Sequence, residues 1–214
     1  MKYKNIIFDL DGTLLNTLLD LHASVNYSMD KLGFPRRTVD EVRRFVGNGV
    51  KVLIRRAAPD DISEEQYNAA YAAFQEHYRV HSRDKTAPYD GVCELMKSLK
   101  ERGYKVAIVS NKLDFAVQAL KEEFFSGLCD AAVGDSDATR TKPEPDMVYK
   151  ALEEMGASAA ESVYIGDTDV DLATAKNSGM PCISVTWGFR SRAELEGYGA
   201  KTIVDTADEI LKLV

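Results

Sequence analysis

From residue 88 onward the chain alternates short apolar runs with helical patterns, and that alternation leaves few folds open to it. The runs span 105–110, 131–133, 162–165, 182–185 and 201–204. They are too short for helices and too continuously apolar for strands with one wet face, so they read as strands buried on both sides. Between them lie helical repeats, the clearest carrying Val92, Leu95, Met96 and Leu99 and stopping at Gly103. Strand and helix in strict alternation imply parallel pairing through right-handed crossovers, with helices on both faces. The expected fold class is α/β, a doubly wound parallel sheet of Rossmann-like design.

One further strand, at 4–10, stands apart from the others. After it comes a purely helical stretch in which Leu18, Leu21, Val25, Met29 and Leu32 recur at three and four residues before Gly33. Thr38 with Glu41 and Ser63 with Gln66 have the spacing of capping boxes, as do Ser191 with Glu194 and Thr206 with Glu209. Tyr67, Tyr71, Phe74 and Tyr78 form an aromatic stripe expected to pack against neighbouring helices, with a ligand-facing role as the alternative. The expected organisation is an α/β core at 1–15 and 85–214, interrupted by an all-helical cap at 16–84.

Composition narrows the function classes. The formal net charge of −7 gives no basic surface for nucleic acid or anionic membranes. Any anionic ligand must find positive charge supplied locally. Cys93, Cys129 and Cys182 fit neither a disulfide framework nor a zinc pattern, and read as thiols of a reducing compartment. There is no signal-peptide pattern and no apolar run long enough to span a bilayer, so a cytoplasmic location is expected.

In open α/β sheets ligands bind beyond the carboxyl ends of the strands. Asp9 and Asp11 follow the first strand two residues apart, and Gly12 lets the backbone approach a ligand closely. Ser110, Asn111 and Lys112 follow the second, Lys142-Pro143 the third, and Gly166-Asp167-Thr168-Asp169-Val170-Asp171 the fourth. Any one of these is an ordinary helix cap or surface acid, and Asp169 reads as a solvated helix-start residue. Together they gather carboxylates whose mutual repulsion is about 4 kcal/mol per pair at contact range, which calls for a cation. Oxygen-only donors suit Mg2+ better than zinc.

In order and spacing these four segments resemble the motifs of the haloacid dehalogenase superfamily: DxDGT, then Ser/Thr, then Lys-Pro, then GDxxxD, with a helical cap inserted after the first. The resemblance implies a Mg2+-dependent phosphatase with Asp9 as nucleophile, Asp11 as general acid and base, and Lys142 as the neutralising cation. It implies metal binding at Asp9, Asp11, Asp167 and Asp171, the last acting as an outer partner. It implies phosphate binding by Gly12, Ser110 and Asn111. Members that cleave carbon–halogen bonds lack the second acid of the first motif, so the presence of Asp11 favours phosphoryl transfer.

Three softer matches resemble the phosphoglycolate phosphatase branch: Val46-Gly47-Asn48-Gly49 after a basic stretch, Tyr89-Asp90-Gly91, and Thr186-Trp187-Gly188-Phe189. They imply that Asn48, Gly49 and either Arg44 or Lys51 contact the carboxylate of the leaving group of a small phosphorylated metabolite. Gly47-Asn48-Gly49 also reads as a plain helix–helix turn. Pyrophosphatase, sugar-phosphate phosphatase and phosphosugar mutase remain open. A phospho-accepting receiver module is disfavoured by chain length and by the helical insert. The expected working unit is a monomer or homodimer without nucleic-acid or membrane partners.

Overall fold

The structure, a computed structural model, describes residues 3–214, so residues 1 and 2 of the expected 1–15 core segment lie outside it. The chain opens with strands β1 (Asn5–Phe8) and β2 (Leu15–Asn16), then helices α1 (Leu18–Lys31), α2 (Val39–Phe45), α3 (Gly49–Ala57) and α4 (Glu64–His81). It continues through β3 (Ala87–Pro88), α5 (Val92–Glu101), β4 (Lys105–Leu113), α6 (Asp114–Phe125), β5 (Ala131–Asp135) and α7 (Asp146–Met155). It closes with β6 (Ser162–Gly166), α8 (Asp169–Asn177), β7 (Cys182–Val185), α9 (Arg192–Gly197), β8 (Ile203–Val204) and α10 (Ala207–Leu213).

Six of these strands form one sheet in the order β5-β4-β1-β6-β7-β8. Every pairing in it is parallel. Side-chain alternation then dictates two cores. Ile6, Phe8, Val106, Ile108, Val163 and Ile165 face α5, α6 and α10. Their neighbours Ile7, Ala107, Val109 and Tyr164 face α7 and α8 on the opposite side. Each fully buried large apolar side chain contributes about 1.5–3 kcal/mol, which explains why the strands carry almost no polar residue before their carboxyl ends.

Register brings those ends together. Phe8 pairs with Ile108 on one side and with Ile165 on the other, and the Asp9 amide donates to the Ile165 carbonyl at 2.9 Å. The first residues beyond this line include Asp9, Ser110 and Asp167.

Helices α1 to α4 bury their own cluster, built on Leu21, Val25, Val42, Leu53, Phe74 and Tyr78. Ala116 and Phe189 of the α/β layer belong to the same cluster, so the helical insert is docked on the sheet domain. The chain leaves and re-enters through a two-stranded antiparallel ribbon pairing Leu15 with Pro88 and Asn16 with Ala87.

The capping boxes at Thr38/Glu41, Ser63/Gln66 and Ser191/Glu194 form as expected. Thr206/Glu209 does not, because Glu209 reaches one residue further back and accepts from the Asp205 amide at 3.0 Å. A second difference concerns β4. It runs through Leu113, with an irregularity against β5 after Val109, so Ser110, Asn111 and Lys112 stand in the strand and not in a turn after it.

Candidate active site

The site assembles at the ends of β1, β4 and β6, with the turn ahead of α7 and the loop after β7 closing its sides. Gly12 adopts φ +88°, and a Cβ there would lie 2.4 Å from Asp167 Oδ2. Gly188 packs from the other side, where a Cβ would lie 2.3 Å from the Gly12 carbonyl oxygen. Both loops press against the Asp167 carboxylate because neither carries a side chain at the contact. Asp167 is fully buried and accepts hydrogen bonds from the Phe189 amide at 2.7 Å and the Thr13 hydroxyl at 3.1 Å.

Asp171, in the first turn of α8, folds back to accept from the Thr168 amide and hydroxyl at 3.0 and 2.7 Å. Its other oxygen accepts from Lys142 Nζ at 2.8 Å and lies 3.3 Å from the Tyr164 hydroxyl. Lys142 Nζ also stands 2.9 Å from Asp9 Oδ1. That contact is ionic only, since the oxygen accepts no hydrogen bond of normal geometry. One buried ammonium thus joins the carboxylate that ends β1 to the carboxylate that starts α8.

The charges are unbalanced. Asp9, Asp167 and Asp171, all buried, offer oxygens within 4.8 Å of one another. At that separation and an effective dielectric near 20, each like-charge pair costs about 3 kcal/mol. Burial pushes the Asp9 carboxyl up to about 7; Lys142 opposes the shift, and the Asp171 and Asp11 charges add to it. Burial, reinforced by Asp171 and Asp9, holds Asp167 well above the usual carboxylate range. For Lys142 burial acts to lower the value, but the Asp171 and Asp9 carboxylates outweigh it and hold it well above its ordinary range. An all-oxygen, buried, proton-hungry cluster with one under-satisfied oxygen fits a hard divalent cation such as Mg2+.

Asp11 stands outside this cluster. Its Oδ1 accepts from the Thr17 hydroxyl and from Lys112 Nζ, each at 2.6 Å. The Ser110 hydroxyl oxygen accepts from the Lys112 amide at 3.3 Å and its own proton remains free to donate. Both ends of the Asn111 side chain are engaged within the protein. Its oxygen accepts from the Lys142 amide at 2.7 Å, and its nitrogen donates to the Lys142 and Gly47 carbonyls at 3.0 Å each. The Gly12 amide donates to the Leu15 carbonyl at 2.9 Å.

A cavity of about 460 Å³, solvent at its mouth included, lies over these groups. Asp9, Asp11, Ser110, Asn111, Lys112 and Lys142 line its floor, and Leu21, Val46, Gly47, Gly49, Val50, Leu53 and Tyr78 of the helical insert its roof. Arg44 is exposed and Asn48 half-buried at the start of α3, and neither lines the cavity. The end of α2 and the loop that follows it are pinned by Arg190, whose guanidinium donates to the Val46 and Arg43 carbonyls at 3.1 Å each. Lys112 and Arg190 carried no role in the sequence reading, and Tyr78 only that of a member of the aromatic stripe. Of Lys112 and Arg190, only Lys112, directly after Ser110-Asn111, left a local signal.

Comparison with known proteins agrees with this geometry. The family model of haloacid dehalogenase-like hydrolases matches residues 6–185. Phosphoglycolate phosphatase 1 of Pseudomonas aeruginosa is 31% identical over 96% of this chain and 78% of its own length. The crystal structure of a candidate phosphoglycolate phosphatase from Lactobacillus delbrueckii subsp. bulgaricus superposes with a TM-score of 0.95 at 38% identity, covering 100% of this chain and 98% of that one. CbbY of Rhodobacter sphaeroides in complex with phosphate gives 0.81 at 25% identity, covering 97% and 96%. Among the described residues no helix is long and apolar enough to cross a membrane. With buried motif carboxylates at the strand ends, a lysine between them and a family match over most of its length, the chain belongs to the haloacid dehalogenase-like hydrolases and is a phosphatase of that family.

Proposed function

We propose that this phosphatase hydrolyses 2-phosphoglycolate, or a similarly small phosphorylated metabolite, with Mg2+ and through an aspartyl phosphate on Asp9. The observation that carries the mechanism is the placement of Asp9 at the cavity floor beside Lys142, with the acid Asp11 on the other side.

The residues that would hold Mg2+ are Asp9 and Asp167, with Asp171 behind them and Asp11 at the flank, and the ion would offset charge on the carboxylates and the phosphate. Asp9 attacks phosphorus, an acyl-phosphate bond forms and the bond to the leaving oxygen breaks. Asp11 gives that oxygen a proton and later takes one from the water that releases inorganic phosphate and restores Asp9. Lys142 favours the ionised form of Asp9 and meets the charge of the phosphoryl group. Ser110 donates to a phosphate oxygen. Asn111 holds Ser110, the Lys142 turn and the loop at Gly47 in fixed relation, and Gly12 lets the backbone come close.

The insert, roughly 16–84, acts as a lid. Its roof side chains Leu21, Val46, Val50 and Leu53 leave room for a small leaving group and exclude water, which strengthens the electrostatics beneath. The choice of substrate rests on the relatives named phosphoglycolate phosphatase and on the 46–49, 89–91 and 186–189 segments. The test is phosphate release from a panel of 2-phosphoglycolate, sugar phosphates and pyrophosphate, with Mg2+ and with chelator. A markedly higher kcat/KM for pyrophosphate or a sugar phosphate would replace the substrate assignment, and full activity in chelator would remove the metal.

A further inference from the structure

Once the groups assigned to phosphate chemistry are set aside, the rest of the cavity lining is apolar or glycine at every position but two, Lys112 and Tyr78. Lys112 rises from β4 with its side chain 2% exposed, and its ammonium lies 4.9 Å from the centre of the Tyr78 ring. Tyr78 comes down from α4 and is fully buried, stacked on Phe74 with ring centres 5.1 Å apart. Its hydroxyl makes no hydrogen bond of normal geometry, although the Lys112 ammonium interacts with it. A buried hydroxyl left without a well-formed hydrogen bond costs about 1–3 kcal/mol, so its retention at the wall of a ligand cavity needs a reason. The ammonium has three donors, of which Asp11 takes one.

We propose that Lys112 and Tyr78 form the subsite for the carboxylate of the leaving group and so determine specificity. The inference rests on the reading of the substrate as a small phosphorylated acid. A free ammonium N–H and a phenolic O–H are two donors for the two carboxylate oxygens, in a recess whose remaining side chains are apolar. The position of Lys112 adds a second consequence. In 2-phosphoglycolate the ester oxygen and the carboxylate are joined by a single methylene. An ammonium that touches both the carboxylate and Asp11 therefore sets the leaving oxygen beside the acid that protonates it. A longer leaving group places its anion beyond this pair, under Leu21 and Leu53.

Ethyl phosphate, with a methyl in place of the carboxylate, isolates the interaction. The quantity to measure is the ratio of kcat/KM for 2-phosphoglycolate to that for ethyl phosphate. The expected wild-type ratio is well above ten. Tyr78→Phe should lower it about fivefold or more, chiefly through KM, with Tm unchanged or slightly raised because the lost hydroxyl made no hydrogen bond of normal geometry. Lys112→Met should lower it further, while its effect through Asp11 falls on both substrates and cancels in the ratio. A wild-type preference that survives both substitutions overturns the subsite and leaves the substrate reading intact. A wild-type enzyme with no preference for the carboxylated substrate overturns both.

Discussion

Asp20 Oδ2 accepts hydrogen bonds from both the amide and the hydroxyl of Thr86, at 2.9 and 2.8 Å. Asp20 lies in the first turn of α1, where the chain has just entered the lid, and Thr86 lies just before β3, where it returns. The Lys85 amide donates to the same carboxylate at 3.0 Å. A single buried side chain therefore fastens the outgoing linker to the incoming one at the base of the helical insert.

Replacing Asp20 by alanine leaves several donors of residues 85 and 86 unpaired in a buried place. The expected loss of stability is about 2–4 kcal/mol, read by denaturant or thermal unfolding. Asp20→Asn keeps one acceptor oxygen and should lose about half as much. An alanine variant with wild-type stability would show that the linkers are held by other contacts.

The two aspartates of the first motif should fail in different ways. Asp9→Asn removes the nucleophile, so no phosphoenzyme forms. Asp11→Asn keeps the nucleophile but removes the proton donor and acceptor. With a reactive aryl phosphate the first step proceeds and the adduct accumulates, because water is not activated. Intact-protein mass spectrometry distinguishes the cases, and a phosphoryl adduct on the Asp9→Asn protein would place the nucleophile elsewhere.

Mg2+ should stabilise the fold as well as activate it. A ligand at one hundred times its Kd adds about 2.7 kcal/mol, so Tm should rise with Mg2+ and saturate, and Asp167→Asn should abolish the rise. The sign with pH follows from Asp9, pushed up to about 7 by burial in the metal-free protein. A carboxyl raised on folding binds its proton more tightly when folded, so its contribution to metal-free stability is present at low pH and is lost as pH rises to about 7. The cation competes with that proton, and the Mg2+-induced rise in Tm should be larger at pH 7.5 than at 5.5. Calcium should inhibit, since its looser coordination lets a carboxylate bind through both oxygens. Equal Tm with and without Mg2+ at pH 7.5 would argue that the carboxylate cluster holds no cation.

The 46–49 loop offers a test of how the lid reads its substrate. Arg190→Ala frees the Val46 and Arg43 carbonyls, and Asn48→Ala trims the start of α3. If the loop positions the leaving group, each should lower kcat/KM for 2-phosphoglycolate by about tenfold, equivalent to roughly 1.4 kcal/mol. Hydrolysis of an aryl phosphate should change much less. Equal losses on both substrates would show that the loop shapes the site as a whole and recognises nothing on the leaving group.

Much of the architecture was legible because it rests on local rules. Apolar runs of strand length read as strands of one covered parallel sheet, although those at β5 and β8 stand at its edges. Thr38/Glu41, Ser63/Gln66 and Ser191/Glu194 are contacts three residues apart, which sequence spacing fixes. Thr206/Glu209 satisfied the same spacing and failed, because Glu209 had a second local donor, the Asp205 amide, within reach. The strand character of Ser110 to Lys112 was not legible, since polar residues at a strand's end look like a turn until the pairing partner is known.

By itself, the sequence determined that six strand-forming runs would pair in parallel and deliver Asp9, Ser110, Lys142 and Asp167 to one edge. Hydrophobic period and chain handedness leave no other economical arrangement. Only the tertiary structure decided how the charges there are shared: Lys142 is given to Asp9 and Asp171, Lys112 to Asp11, and Asn111 to the backbone at Lys142 and Gly47. It alone decided that Tyr78, one member of an aromatic stripe, would line the cavity beside Lys112. These contacts reach across the chain, from 29 residues between Lys142 and Asp171 to 133 between Lys142 and Asp9. No local period encodes them, because they depend on which helix face the lid sets down over the sheet and on how deeply each charge is buried when it does.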